Sequence, residues 1–306
     1  MVNAGIDKIK VVLNPLFLAK DFKWHIRPDN ALTIHRAGIF TFLAIHAEYF
    51  NPFFDYRLQI AQAIYELIQK KVVLFPMDFP VFTYMFILQN FDYFVLGISQ
   101  VEFYYDFPKN KVFVDEDAIK NEDIIQYRDK EGIPTDTFYS PDNDKGKSTF
   151  CIYNRHDKLI KDNRTKHSDI EKRGIENRIE ARLGRENCSY LDINNFTGTF
   201  DEIYKRFLPF LSVMYYKFLF NSITVKGKTN THFTRLVRNA KKGKVQYLNR
   251  NRLTKSEKIQ EIPEAGTGKK QMQKVLLGKY YKEVDNAEKP IELDKDDNRL
   301  TDLLDS

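Results

Sequence analysis

Residues 98–107, ISQVEFYYDF, alternate between polar and apolar side chains in an aromatic-rich segment. Successive side chains of a strand point to opposite faces. Glu102, Tyr104 and Asp106 therefore share one face, and the apolar residues between them share the other. A strand of this kind fits a sheet that has one apolar face covered by helices and one face that carries carboxylates.

Further segments have the patterns of strands and helices. Strands are predicted where β-branched and aromatic residues are concentrated: 9–20, 38–46, 80–89, 93–107 and 111–115. Apolar residues at helical spacing predict helices at 55–71 and 200–221, the second kinked at Pro209. Residues 174–184 fit a strand and a helix equally well. The sequence thus predicts an α+β fold: a mainly antiparallel β-sheet covered by helices, with a helical basic segment near the C-terminus.

A hairpin is predicted at residues 135–154, TDTFYSPDNDKGKSTFCIYN, because two aromatic segments flank a Pro-Asp-Asn-Asp-Lys-Gly turn. On its second strand, Cys151, Tyr153 and Arg155 share one face. Tyr153 could be a nucleophile, but a phenol titrates near ~10 and needs a metal, a base or a cation to react near neutral pH. The alternative is an ordinary strand residue, since the chain has 17 tyrosines.

Two carboxylates on one strand face, Glu102 and Asp106, repel each other unless a cation lies between them. Oxygen ligands suit Mg²⁺ or Mn²⁺, so these residues are candidate metal ligands. The alternative is a solvent-facing strand that carries two acids.

Charge is distributed unevenly along the chain. The span from Ile203 to Ser256 contains no acidic residue and 13 Lys or Arg, whereas Glu283 to Ser306 contains nine acids and three bases. We expect residues 226–260 to contact DNA and residues 261–306 to form a largely disordered acidic tail. The candidate DNA-binding residues are Arg235, Arg238, Lys241, Lys242, Lys244, Arg250 and Arg252. The alternative is an unstructured basic linker that the tail partly neutralises.

Several classes of protein are disfavoured. Two cysteines are too few for a secreted disulfide scaffold, so a cytoplasmic location is expected. No window of 18 apolar residues occurs, which predicts no membrane span. The Gly-Lys-Ser/Thr stretches lack the upstream glycine of a P-loop. No His-hydrophobic-His motif occurs either.

The order of these segments resembles the replication initiation factor family, which includes plasmid-encoded rolling-circle initiators and related phage proteins. That family has an acid-bearing strand, a serine-containing hairpin, a Tyr-Asn/Asp-Lys strand and a later Arg-Phe/Ile-Glu strand. The matching stretches here are Val101–Asp106, Tyr139-Ser140 with Lys147-Ser148, Ile152–Arg155 and Arg178–Glu180. Arg155 stands in place of the usual lysine, and Glu102 in place of the commoner aspartate.

The resemblance implies a rolling-circle replication initiator, encoded by a plasmid or phage of a bacterial host. Residues 1–225 would be the nicking-joining domain, which cuts one origin strand to leave a 5′-phosphotyrosine and a free 3′-hydroxyl. Tyr153 would attack, with Arg155 and Arg178 on phosphate oxygens. Glu102, Asp106 and Glu180 would hold Mg²⁺ or Mn²⁺.

The partners that the resemblance implies are origin DNA, as a single strand or an extruded hairpin, a host helicase and a second copy of the chain. Two alternatives remain open from the residues alone. One is a non-catalytic DNA-binding or phage structural protein. The other is a metal-dependent nuclease that forms no covalent intermediate.

Overall fold

The structure is a computed structural model, and its description covers part of the chain. The described residues are 4–15, 18, 31–37, 40–70, 72–73, 84–108, 111–141, 148–161, 175–184, 197–227 and 230–248. The predicted acidic tail, 261–306, lies outside them.

Ten strands are described: β1 (Ala4–Leu13), β2 (Leu32–Ala37), β3 (Phe40–His46), β4 (Val95–Pro108), β5 (Val112–Val114), β6 (Ile125–Arg128), β7 (Pro134–Tyr139), β8 (Thr149–Asn154), β9 (Ile175–Leu183) and β10 (Ile223–Val225). The α-helices are α1 (Tyr56–Gln69), α2 (Tyr84–Gln89), α3 (Phe91–Phe94), α4 (Glu116–Lys120), α5 (Arg155–Lys161), α6 (Phe200–Phe218) and α7 (Thr231–Leu248).

Eight strands form one sheet in the order β2-β3-β1-β4-β9-β8-β7-β6. Every neighbouring pair is antiparallel. The predicted α+β class is confirmed. The predicted hairpin is also confirmed, because β7 pairs with β8. Residues 175–183, whose sequence fits a helix and a strand equally well, form a strand at the centre of the sheet. Main-chain hydrogen bonds to β4 and β8 select the strand.

Helix α6 covers the apolar face of the sheet. Phe103 of β4 packs against Phe200, Tyr204 and Phe207 of α6, with ring centroids 5.8–6.3 Å apart. The helix begins at a capping box in which Thr199 and Glu202 bond each other's backbone N–H. It runs through Pro209. The alternation in β4 thus fixes which face of the sheet the helix buries.

Helix α7 packs on α6 and contains the first half of the basic segment. The Asn230 carboxamide oxygen caps it by accepting from the N–H groups of His232 (2.8 Å) and Phe233 (3.2 Å). Phe233, Leu236 and Ala240 are buried in the same core as β4. The predicted helix is therefore confirmed, and its apolar stripe belongs to the core. A domain boundary at residue 225 stays a prediction.

Residues 84–94 differ from the predicted strand pair. They form α2 and α3, and the strand begins only at Val95. Ile87, Phe91 and Phe94 are buried at helical spacing. A short apolar run such as this one is compatible with a helix and with a strand, so the sequence did not distinguish them.

The strand at 112–114 pairs with β10 in a separate two-stranded sheet and not with β4. Strands β2, β6 and β10 were missed.

Candidate active site

The face of the sheet opposite α6 carries charged side chains and is called the polar face below. Its central members are Asp7, Lys8, Glu102, Tyr104, Asp106, Tyr153, Arg178, Glu180 and Arg182. Several of these are nearly inaccessible: Glu102 is 2%, Glu180 is 1% and Tyr153 is 4% exposed. Because buried charges are costly unless paired, each must have partners. The charged side chains that β9 contributes to this face therefore belong to a buried ionic network.

A β-bulge in β1 supplies two of these charges. Ile6 pairs with Phe103, but Lys8 and not Asp7 pairs with Glu102. One extra residue in β1 lets the consecutive residues Asp7 and Lys8 both reach the polar face. Asp7 contacts Arg178 there, and the Lys8 ammonium lies 2.7 Å from Glu102 Oε1.

Three carboxylates converge on one point. Asp7, Glu102 and Glu180 each offer an oxygen, and these atoms all lie within 4.8 Å of one another. An all-oxygen donor set of this size suits Mg²⁺ or Mn²⁺. The structure thus brings the predicted ligands Glu102 and Glu180 together and adds Asp7. Sequence reasoning missed Asp7. The bulge does leave a signal in the sequence, because the alternating apolar residues fall at even positions up to Ile6 and at odd positions from Ile9.

The third predicted ligand, Asp106, lies outside this group. Both of its oxygens accept hydrogen bonds from Arg178, at 2.7 Å from Nε and 2.9 Å from Nη2. Arg178 Nη1 donates to Asp7 at 2.5 Å, and the guanidinium stacks on the Tyr104 ring at 4.1 Å. That ring leaves no room for a Cβ at Gly5, since Tyr104 atoms lie 2.7 Å from the position. Asp106 and Arg178 therefore form a fixed bidentate pair.

Tyr153 points at the acid group. Its hydroxyl donates a short hydrogen bond to Glu180 Oε1. The Lys158 ammonium, one turn into α5, lies 3.4 Å from the same hydroxyl and 4.4 Å from the ring centroid. Burial and the charge of Glu180 raise the pKa of Tyr153. A cation beside the hydroxyl has the opposite effect, because it favours the phenoxide.

Glu180 and Glu102 have opposite pKa shifts. Burial alone would raise the pKa of Glu180, but Arg182, Lys158 and the Tyr153 hydroxyl hold it at about 2. Burial raises the pKa of Glu102 despite Lys8 and Arg182. Arg182 joins the two acids, with Nη2 2.8 Å from Glu180 and Nε 3.7 Å from Glu102. Sequence reasoning assigned no role to Arg182 or Lys158.

Arg155 is the first residue of α5 and not the last of the strand. The side-chain oxygen of Asn154 accepts from the N–H of Asp157 at 3.3 Å, which ends β8 and starts the helix. The predicted sharing of a strand face by Tyr153 and Arg155 is therefore replaced by a strand-to-helix turn. Burial raises the pKa of both Tyr153 and Tyr104, and the charge of Arg155 opposes this rise to a small extent.

The candidate DNA-binding residues divide into four groups. Arg238, Lys241 and Lys242 are exposed on α7. Arg235 lies 3.0 Å from Asp201 of α6 and is held in an ion pair. Lys244 lies in α7, and Arg250 and Arg252 lie outside the described residues.

No protein-family model and no curated protein sequence matches this chain. A solved structure of the rolling circle replication initiator protein from Geobacillus stearothermophilus is similar to it, with a TM-score of 0.33 and 12% sequence identity. The similarity covers 90% of this chain and 97% of that chain. A TM-score of 0.33 does not support an inference of function, and the function proposed below is argued from the geometry of the site. Among the described residues, no helix is both long and apolar enough to cross a membrane.

Proposed function

We propose that this protein is a metal-dependent tyrosine nicking enzyme that starts rolling-circle DNA replication. One observation carries the proposal. The Tyr153 hydroxyl donates a hydrogen bond to Glu180, one of three carboxylates whose oxygens lie within 4.8 Å of one another, and the Lys158 ammonium lies 3.4 Å from the same hydroxyl. A nucleophile, a cation and a candidate metal group therefore meet at one atom.

Asp7, Glu102 and Glu180 are the residues that would hold Mg²⁺ or Mn²⁺. When bound, the ion neutralises charge on a phosphate oxygen as the transition state forms. The same acids already contact Lys8, Arg178 and Arg182. These three cations keep the carboxylates of Asp7, Glu102 and Glu180 close together. A bound metal ion can replace Lys8 as the partner of Glu102. Asp106 keeps Arg178 in place from outside the group.

Tyr153 is the proposed nucleophile. Its oxygen forms a bond to phosphorus, the bond from phosphorus to the 3′-oxygen breaks, the phenol loses its proton and the 3′-oxygen gains one. The 5′-phosphotyrosine conserves the phosphodiester bond, so rejoining needs no ATP. With a pKa of about 2, Glu180 is too weak a base to keep this proton, and its hydrogen bond orients the phenol instead. Lys158 favours the phenoxide.

The two arginines have different proposed roles. Arg178 uses Nε, Nη1 and Nη2 on Asp106 and Asp7, so it acts as a positioning residue. Arg155 stands at the start of α5, next to Tyr153, and is the proposed phosphate contact.

Origin DNA, as a single strand or an extruded hairpin, is the proposed substrate. Arg238, Lys241 and Lys242 form an exposed basic face on α7 and are proposed to bind its backbone. Residues 1–225 would supply the chemistry and 226–260 the added affinity.

The test is formation of a covalent adduct between the protein and a labelled single-stranded origin oligonucleotide in Mn²⁺ or Mg²⁺, seen on a denaturing gel. We expect an adduct that Tyr153→Phe abolishes and Tyr139→Phe retains. Tyr139 is the matched control because it lies on the adjacent strand of the same face. Cleavage that survives in Tyr153→Phe would indicate a nuclease without this intermediate. Binding without cleavage would indicate a non-catalytic DNA-binding protein.

A further inference from the structure

Strand β6 is one of the two edge strands of the eight-stranded sheet and exposes two large apolar side chains. Ile125 is 47% and Tyr127 is 51% exposed. An exposed apolar edge strand invites association, so proteins usually cover or charge it. Neither residue packs in the core, and the exposure therefore needs another explanation.

These residues lie on the same face of the sheet as Tyr153. Ile125 pairs with Tyr139, Tyr139 pairs with Cys151, and Thr137 pairs with Tyr153. Residues directly opposite in a ladder share a face. The rings of Tyr127 and Tyr139 meet edge to face, with centroids 6.4 Å apart. An aromatic surface thus extends from the sheet edge towards the proposed nucleophile.

The same surface borders a cavity beside Tyr153. Its lining includes Thr137, Tyr139, Cys151, Tyr153, Lys158 and Arg182. Asp136 and Asp157 also line it, so its wall carries two acids as well as two bases. A run of phosphates would meet repulsion from the two aspartates. A neutral base would not, and the phosphate next to it could reach Lys158.

We propose that Tyr127 and Tyr139 form a stacking platform for an unpaired base of single-stranded DNA next to the scissile phosphate. The platform deepens the proposed function, because it sets which nucleotide lies at Tyr153. Stacking on an aromatic ring is open only to an unpaired base, and it tolerates any base identity. The platform therefore selects single strands over duplex and sets register without reading sequence.

Substitution of Tyr127 tests stacking alone, because Tyr139 also lines the cavity beside Tyr153. We expect Tyr127→Ala to weaken binding of a single-stranded oligonucleotide about tenfold, within the range measured for stacked bases, and to leave duplex binding unchanged. Tyr127→Phe should keep the affinity. Dissociation constants are measured by fluorescence anisotropy in the Tyr153→Phe background, which cannot form an adduct.

Phe113 is the matched control. It is 42% exposed but lies on β5, in the separate small sheet, with Lys226 over its ring at 4.7 Å. Phe113→Ala should change single-strand affinity less than twofold. A 2-aminopurine placed successively along the oligonucleotide should be quenched at one or two positions, and Tyr127→Ala should relieve that quenching.

Unchanged single-strand affinity in Tyr127→Ala, or an equal loss in Tyr127→Phe, would overturn the platform. So would an equal loss on duplex. A change in oligomeric state on size-exclusion chromatography without a change in affinity would show that the edge meets a second copy instead. If the platform binds bases but no adduct forms with active Tyr153, the proposed function fails and this inference stands.

Discussion

The Tyr153 hydroxyl reaches Glu180 diagonally across two paired strands. Cys151 lies directly opposite Glu180, and Tyr153 lies directly opposite Arg178. A diagonal neighbour in an antiparallel sheet is within reach of an aromatic side chain. The register of β8 on β9 therefore places the phenol at the acid group and the guanidinium beside it.

Lys158 should set the pH at which Tyr153 reacts. Burial and Glu180 raise the pKa of Tyr153 above its ordinary 10.0. The Lys158 ammonium lies 3.4 Å from the hydroxyl, and a cation at that distance favours the phenoxide. We expect Lys158→Met to move the pH–rate profile for nicking to higher pH, while Lys158→Arg keeps it close to that of the parent. A uniform loss of rate at all pH values would show that Lys158 only supports the fold.

Asp7 and Asp106 should respond differently to substitution. Asp7→Asn is expected to weaken Mn²⁺ binding at least tenfold, measured by calorimetry. Asp106→Asn is expected to leave Mn²⁺ affinity largely intact and to lower the free energy of unfolding by about 3–5 kcal/mol, because it breaks the bidentate pair with Arg178. The reverse pattern would restore Asp106 as a metal ligand in place of Asp7.

Lys8 should compete with a divalent ion for Glu102. Its ammonium lies 2.7 Å from Glu102 Oε1. Lys8→Met removes this partner and leaves a buried carboxylate that an ion can satisfy. We expect a lower Tm without metal and a larger rise in Tm with Mn²⁺ than in the parent. Lys120→Met, at an exposed pair with Asp117, is the control and should change neither value.

Acid should destabilise the protein through Glu180. Its pKa is about 2 in the fold and 4.5 in a free side chain. A depressed carboxyl pKa contributes stability above 4.5 that is lost as pH falls from 4.5 towards 2. Glu102 works in the opposite direction, because its raised pKa means that protonation favours the fold. Urea unfolding at successive pH values should show a shallower loss of stability between pH 4.5 and 2 in Glu180→Gln. In Glu102→Gln, the stability that the parent gains on acidification towards pH 4.5 should disappear.

Helix α7 should contribute to DNA affinity through salt-dependent binding of phosphates. For each phosphate that a variant no longer neutralises, the slope of log K against log salt should fall by about 0.7 on single strands. We expect this change in Arg238→Ala and in Lys241→Ala, whose side chains are exposed. Arg235→Ala should leave the slope unchanged because Asp201 holds that side chain. Equal slopes in all three variants would remove α7 from the DNA interface.

The candidate site was partly predictable because a strand leaves a period of two in the sequence. That period placed Glu102 on the correct face, and the hairpin signal placed Tyr153 on the neighbouring strand pair. The pairing of β9 with both β4 and β8 was not visible, since strand pairing between segments far apart in the chain leaves no local pattern. Asp106 was therefore read as a metal ligand, although Arg178 takes both its oxygens.

Side chains that reach the site from irregular backbone were missed. Asp7 depends on a bulge, and Lys158 on a helix that starts directly after Tyr153 and Asn154. Neither position follows from a regular period. The helices at 84–94 were missed for a related reason: a short apolar run is compatible with either period until packing selects one.

The bulge in β1 adds a residue to the candidate site without changing which residues of the strand pack in the core. The core residues of β1 are Ala4 and Ile6 before it, and Ile9, Val11 and Leu13 after it. Removing Asp7 would restore alternation between Ile6 and Ile9, with these five side chains still directed to the core. The strand would become more regular and the acid group would lose one of its three oxygens. Asp7 is thus a residue that the core packing of this strand does not need and on which the proposed chemistry depends.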